Sequence, residues 1–179
     1  MPARPRCSVF IAASVDGFIA RPDGGLDFLR RAELAGEDYG YAAFFAGVDV
    51  LVIGRHTYDT VRGFDPWPYA GKRCVVLTNR PAAPRRDETF ASGAPEPLLD
   101  RLAAEGARSV YVDGGVVIRR FLAAGLIDDL TLTLIPVVLG AGIPLFTGDA
   151  PELGLSLESC RSWAETGVVQ LRYRSQRSA

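Results

Sequence analysis

Leu51-Val52-Ile53-Gly54-Arg55-His56-Thr57 is the stretch on which the fold class turns. It closes an apolar run, Val48 to Ile53, broken only by Asp49. Such a run reads as a strand buried on both faces. The run stops at a glycine, and a cation and a hydroxyl open a short helical segment, Arg55 to Arg62. A buried strand that hands over directly to a helix is a unit of an α/β sheet.

The same alternation extends in both directions. Upstream, Cys7 to Ala13 is a first strand, and Pro22-Asp23-Gly24-Gly25 is a turn cluster. Glu37 to Gly47 reads as a helix, with Tyr41, Phe44 and Phe45 at helical spacing, acids at its start and a glycine at its end. Downstream, Asp65-Pro66-Trp67-Pro68 forbids regular structure. Cys74 to Leu77 is another buried strand. Arg80 to Pro97 is mostly loop, with one short strand near Thr89.

Leu98 to Glu105 and Val116 to Ala124 are helices, each followed by a glycine, and Ser109 to Val112 is the strand between them. Leu130 to Leu139 is a long strand that Pro136 should bend or push towards an edge. Leu153 to Trp163 and Gly167 to Tyr173 form a closing hairpin. The expectation is one domain, residues 1–179, with a mixed, mainly parallel sheet, flanking helices and a C-terminal antiparallel hairpin.

Composition narrows the chemistry. A net charge of −1 offers no footprint for nucleic acid or an anionic membrane. Three cysteines, far apart and odd in number, make no disulfide framework and suit a reducing, cytoplasmic compartment. His56 is the single histidine, so a zinc site built on Cys and His is not expected, and no metal is assigned. A Ser-His-Asp hydrolase would have to use His56, without a G-x-S-x-G elbow. The opening residues resemble a signal peptide, but Asp16 interrupts the apolar run, and Ser8 to Ile11 reads better as a strand.

Two strand-to-helix junctions are candidate ligand sites. At Gly54-Arg55-His56-Thr57 a helix N-terminus presents free N–H groups, and Arg55 adds a forked cation suited to phosphate. The alternative is an ordinary helix start with a surface arginine. At Tyr111-Val112-Asp113-Gly114-Gly115 paired glycines permit close approach of a ligand to the backbone, or merely a tight turn. Both lie at carboxyl ends of strands, the edge where open α/β sheets bind ligands.

Ile53 to Tyr58, Gly71 to Thr78 and Gly114-Gly115, together with the opening Phe10 to Ala20, resemble the dihydrofolate reductase superfamily in order and spacing. Gly125 to Leu130, continuing through Ile135 to Gly142 and Leu145-Phe146, resembles more specifically the reductase domain of the riboflavin-biosynthesis deaminase/reductase. The resemblance implies a three-layer dihydrofolate-reductase-like fold, NADPH as cofactor and hydride transfer to a small molecule.

It also implies positions for the cofactor. Ala13 and Ile19 would hold the nicotinamide carboxamide. Gly54, Arg55, His56, Thr57 and the segment Asp113, Gly114, Gly115 would hold the pyrophosphate. Arg55 and the strand end at Leu77, Thr78, Asn79 and Arg80 would hold the adenosine 2′-phosphate. The family's catalytic acid falls on Asp38, with Tyr41 and Thr133 at the substrate. Asp38, Tyr41, Ala42 and Phe45 would share one helical face, and burial there would raise the pKa of Asp38. A plainer reading makes Asp38 a helix-end acid.

The chain departs from dihydrofolate reductase at three places. Lys72 replaces the arginine that grips the folate tail, Ala42 replaces a bulky aromatic, and Asp113 precedes the glycine pair. It has neither the H-x-E nor the P-C-x-x-C of the zinc deaminase. The expectation is an NADPH-dependent reductase of a pterin-like, pyrimidine-like or carbonyl substrate, nearest the 5-amino-6-(5-phosphoribosylamino)uracil reductase domain. True dihydrofolate reductase and a non-catalytic nucleotide-binding protein are the alternatives. A homodimer is expected, pairing through the late strands.

Overall fold

Continuous apolar runs dictate the centre of the molecule. In the computed structural model, which describes residues 3–80, 82–148 and 151–176, every residue of β3 (Val50–Gly54) is buried. So are all but the first of β4 (Arg73–Leu77). The sheet has eight strands. The others are β1 (Arg6–Ser14), β5 (Thr89–Ala91), β6 (Ser109–Asp113), β7 (Asp129–Ile135), β9 (Gly154–Trp163) and β10 (Val168–Gln176). Their order is β5-β4-β3-β6-β1-β7-β10-β9.

The first six in that order pair in parallel. β10 runs antiparallel to both β7 and β9. The expected mixed sheet with an antiparallel hairpin at one edge is the fold observed. The chain leaves β1, crosses over the future position of β6, builds outward through β3, β4 and β5, then returns. That reversal makes the β3–β6–β1 region the topological switch point.

Helices cover both faces. α3 (Pro95–Ala104) and α4 (Gly115–Ala123) bury Leu98, Leu99, Leu102, Val117, Ile118 and Phe121 against Val9, Val52, Val75 and Val112. α1 (Tyr41–Ala46) and α2 (Arg55–Val61) pack on the opposite face, over Leu51, Ile53, Val76 and Tyr111. A 3₁₀ helix, Asp27–Ala32, places Phe28 beside Ile135, Trp163 and Val168. Among the described residues no helix is long and apolar enough to cross a membrane.

Three expectations are corrected. The helix expected over Glu37–Gly47 begins only at Tyr41, because Tyr39 and Gly40 have φ of 57° and 81°, left-handed values that a right-handed helix cannot pass through. α3 begins at Pro95 rather than Leu98, since a proline in the first helical turn loses no hydrogen bond. β7 is neither bent nor at an edge. It ends at Ile135, before Pro136, and lies between β1 and β10.

The sequence pattern did not show a second, two-stranded sheet. Within it β2 (Phe18–Ala20) pairs antiparallel with β8 (Ile143–Pro144). It fastens the loop after β1 to the segment after β7.

Candidate functional site

Parallel pairing brings the carboxyl ends of the central strands to one edge. Gly54 stands opposite Leu77, and Ile53 opposite Asp113. The two junctions picked out in the sequence therefore become neighbours. Gly114, with φ of 90°, passes so close to α2 that a Cβ there would lie 2.3 Å from Thr57 Oγ1 and 3.7 Å from Gly54 N. A Cβ on Gly115 would lie 2.8 Å from Ile19 Cδ1 and 3.0 Å from an Arg119 guanidinium nitrogen. One on Gly54 would meet Val117 at 3.1 Å. Each glycine is crowded by a neighbour of its own, Gly114 most severely.

Arg55 joins a third strand end to this group. Its Nε donates to Asp59 Oδ2 at 2.8 Å, one helical turn on, and another guanidinium N–H donates to the Arg80 carbonyl at 2.6 Å. Thr78 Oγ1 accepts the Arg80 amide at 3.0 Å, which folds the strand end back towards Arg55. Leu77 is buried, while Asn79 and Arg80 are exposed. His56 is exposed, and its Nε2 would lie 3.4 Å from a Cβ on Gly24, so the 22–25 turn lies over the start of α2.

The loop after β1 reaches the glycine pair through Ile19, while Ala13 is buried in β1. Ser14 Oγ accepts the Phe18 amide at 2.9 Å, and the Gly17 carbonyl accepts the Leu145 amide at 2.9 Å. Asp16 accepts the amides of Leu139 at 3.1 Å and Gly140 at 2.7 Å. The Ser14 hydroxyl and these amides hold its carboxyl down at about 2.

The substrate side differs from expectation. Asp38 lies outside α1 and is exposed. Its two oxygens accept the amides of Gly40 and Ala42, each at 2.8 Å. Those bonds lower its pKa, where burial was expected to raise it. It shares no helical face with Tyr41. Thr133 is buried and bonded to Gln170 Nε2 at 2.9 Å, and the same nitrogen donates to the Tyr39 carbonyl at 3.0 Å. Thr133 is thus Gln170's partner rather than that of Asp38.

Ala42 is exposed on α1. Tyr41 does face inward. It stacks on Phe45 with centroids 5.5 Å apart and meets Phe10 and Tyr111 edge-on. Desolvation, with the nearby Asp113 charge, pushes its phenol up to about 12. Lys72 Nζ donates to the carbonyls of Ala46 and Val48 at 3.1 and 2.7 Å, closing the end of α1 instead of facing a ligand.

Asp113 is the unusual acid of the site. Its Oδ1 accepts the Gly114 amide at 2.8 Å and its Oδ2 accepts the Tyr69 hydroxyl at 2.9 Å. Burial raises its pKa, with the two hydrogen bonds pulling the other way. Sequence reasoning missed Tyr69 and Arg119. Arg119 lies one helical turn after Gly115 and donates to the Pro144 carbonyl at 2.6 Å, a placement its i+4 spacing could have signalled. Tyr69 sits in the proline-rich loop, with nothing local to mark it.

The chain is similar in sequence and fold to several known proteins. The sequence model of the RibD C-terminal domain family matches residues 5–169. The uncharacterized protein YwjB of Bacillus subtilis (strain 168) is 36% identical over 168 residues, covering 92% of this chain and 95% of YwjB. A crystal structure of a candidate riboflavin biosynthesis protein from Shewanella sp. PV-4 superposes with a TM-score of 0.89 at 34% identity, covering 96% of this chain and 99% of that one. Dihydrofolate reductase from Enterococcus faecalis, solved with NADP(H), has a TM-score of 0.65 at 18% identity, covering 99% and 100%. At that identity the likeness speaks for the fold alone.

Proposed function

This chain belongs to the RibD C-terminal domain family, and from that premise we propose that it is an NADPH-dependent reductase of a small molecule. The observation that carries the reading is the meeting of Gly54, Thr57, Gly114 and Gly115 at the switch-point edge of the sheet. Thr57 already packs where a Gly114 Cβ would sit, so the glycine lets the two helix starts stand side by side, where free backbone N–H groups suit a pyrophosphate. Arg55, already turned towards Arg80, supplies a fork for the 2′-phosphate. The E. faecalis reductase was solved with NADP(H), which supports the same cofactor here.

NADPH would supply the hydride. The chain's own residues would bind and orient. Gly114, Gly115, Arg55, His56 and Thr57 would hold phosphates, with Leu77, Thr78, Asn79 and Arg80 around the 2′-phosphate. Ala13 and Ile19 would face the nicotinamide. Tyr41 would lie against the substrate, a pterin-like, pyrimidine-like or carbonyl compound accepting the hydride at a C=N or C=O carbon. Asp113, whose pKa is raised because its carboxyl is desolvated, would lie beside the glycine pair that holds the phosphates.

Fluorescence titration of NADPH and NADH, followed by absorbance at the nicotinamide band with pyrimidine, pterin and carbonyl substrates, tests the reading. NADPH should bind more tightly and be consumed with one of these classes. Dihydrofolate should be a poor substrate, because Lys72 is committed to the end of α1. Equal affinity for the two nucleotides would overturn the cofactor assignment. Tight binding without turnover on any class would favour a nucleotide-binding protein on the same fold.

A further inference from the structure

The loop between α2 and β4 lies outside every expected site, yet one of its side chains reaches the centre. Tyr69 is 6% exposed. Its ring is held edge-on by Trp67 at 5.3 Å and lies beside Phe45 at 6.5 Å. Its hydroxyl donates to Asp113 Oδ2, while the other Asp113 oxygen holds the Gly114 amide. Loop, acid and glycine pair thus form one chain of contacts. We propose that Tyr69 is a positioning residue that fixes the Asp113 carboxyl against the glycine pair and sets the charge presented to a nucleotide there. The inference rests on the NADPH reading.

The physical argument is one of constraint. An aspartate at a strand end has free χ1 and χ2 torsions, and a single backbone donor leaves one oxygen to find its own partner. A buried phenol supplies that partner at 2.9 Å and cannot move away, because the Trp67 and Phe45 rings bracket it. The phenol donates to the charged form of the acid and so opposes its desolvation. The other titratable groups that interact with Asp113 are Tyr41 and Tyr111. Tyr111 donates its own hydroxyl to the Phe10 carbonyl at 2.9 Å, so it cannot also serve the acid. Among the described residues Asp113 has no cationic side-chain partner, which leaves Tyr69 as the side chain that favours its ionised form against burial.

An ionised Asp113 repels a phosphate on Gly114-Gly115, so nucleotide affinity should fall as pH rises through the titration of Asp113. Removing the Tyr69 hydroxyl withdraws a donor to the carboxylate and moves that titration upward.

Two readouts test this. Carbon-13 NMR of labelled aspartate carboxyls, with Asp113→Asn giving the assignment, follows Asp113 in the ligand-free protein. NADPH dissociation constants across pH follow the consequence. Tyr69→Phe should raise the Asp113 midpoint by about one to two pH units, the size of one hydrogen bond to a charged group. The midpoint in NADPH affinity should move with it, and Asp113→Asn should remove that midpoint.

An unmoved Asp113 midpoint in a folded Tyr69→Phe protein overturns the inference. So does an affinity profile that drops evenly at all pH values, the mark of a merely structural role. Should Tyr69→Phe fail to fold, Trp67→Leu, which removes the edge-on ring contact but keeps the phenol, should shift the same midpoint in the same direction. No shift there also overturns the proposal. Absence of NADPH binding by the unmutated protein would defeat the cofactor reading, while the NMR titration would still report on Tyr69 and Asp113.

Discussion

Gly114 and Thr57 come from separate strand–helix junctions, 57 residues apart by number, yet they leave no room between them for a methyl group. A Cβ on Gly114 would stand 2.3 Å from Thr57 Oγ1, and φ at this glycine is 90°. Gly114→Ala should therefore suffer twice, from overlap and from a backbone, φ 90° and ψ 129°, that glycine alone adopts readily. Gly125→Ala, with φ of 64° and open space around it, should suffer only a left-handed backbone, which costs a non-glycine residue about 1–2 kcal/mol. Adding Thr57→Ala to Gly114→Ala should recover the steric part of the loss. Urea unfolding of the parent, Thr57→Ala, Gly114→Ala and the double variant measures the coupling, and purely additive effects would contradict the geometry.

Arg55→Ala should weaken NADPH by about 1.5–3 kcal/mol and NADH by less, since the 2′-phosphate is what separates the two nucleotides. Asp59→Ala, which frees the Nε of Arg55, should disturb the same preference to a smaller degree. Calorimetric titration of both nucleotides against the three proteins distinguishes this from a general loss of fold.

Asp38→Ala should act on stability through the start of α1. Its carboxylate accepts two amides there, so its loss should lower stability modestly. Because the folded pKa is lowered, this contribution is present above the unfolded pKa and fades as pH falls through the folded one. Asp38→Asn should keep NADPH turnover close to that of the parent protein. A large loss of turnover at unchanged stability would restore Asp38 as the proton donor.

Asp16 should give an acid limb to stability. Its carboxyl is held at about 2, against an unfolded value of about 3.9. A group depressed on folding stabilises fully above its unfolded pKa and loses that effect as pH falls towards the folded one. Asp16→Asn should flatten the thermal midpoint between about pH 4 and pH 2, the window those two values bound. Circular dichroism melts across that range provide the check.

The protein should be a homodimer through the β7–β10–β9 end of the sheet. β7 is covered at its edge by β10, so edge pairing of β7 is closed. The face away from the 3₁₀ helix remains. There Leu134 lies opposite Val169, Leu132 opposite Leu171, and Leu157 opposite Tyr173. Leu157 is 56% exposed and Leu155 37%. Two such faces could bury the roughly 1,200–2,000 Å² of a stable interface. Sedimentation equilibrium should give twice 19.3 kDa, and Leu157→Glu with Val169→Glu should give that mass itself. A parent protein that sediments at 19.3 kDa would rule this interface out.

Strand and helix identity was legible wherever a periodic pattern ran uninterrupted. The apolar runs Val48 to Ile53 and Cys74 to Leu77, the glycines after α3 and α4, and the turn before β10 each announce themselves within a few residues. Local chemistry also marked Gly54, Arg55, Gly114 and Gly115 as candidates, each with an ordinary helix start or a tight turn as the alternative. Short-range signals of this kind depend on torsional preference and hydrophobic period, which belong to the chain itself.

Other features exist only after the sheet closes. Asp38 sits beside aromatic residues in the sequence, but two left-handed residues, Tyr39 and Gly40, turn it out to solvent and end any shared face with Tyr41. Thr133 received its partner, Gln170, only when β10 was laid against β7. Tyr69 and Asp113 are 44 residues apart, and nothing in either neighbourhood names the other. The sequence by itself determined most of the segments that become strands and helices and where glycines follow strand ends. Only the tertiary structure decided which acid is desolvated and which is capped, because desolvation depends on groups brought close by long-range pairing rather than on neighbours along the chain.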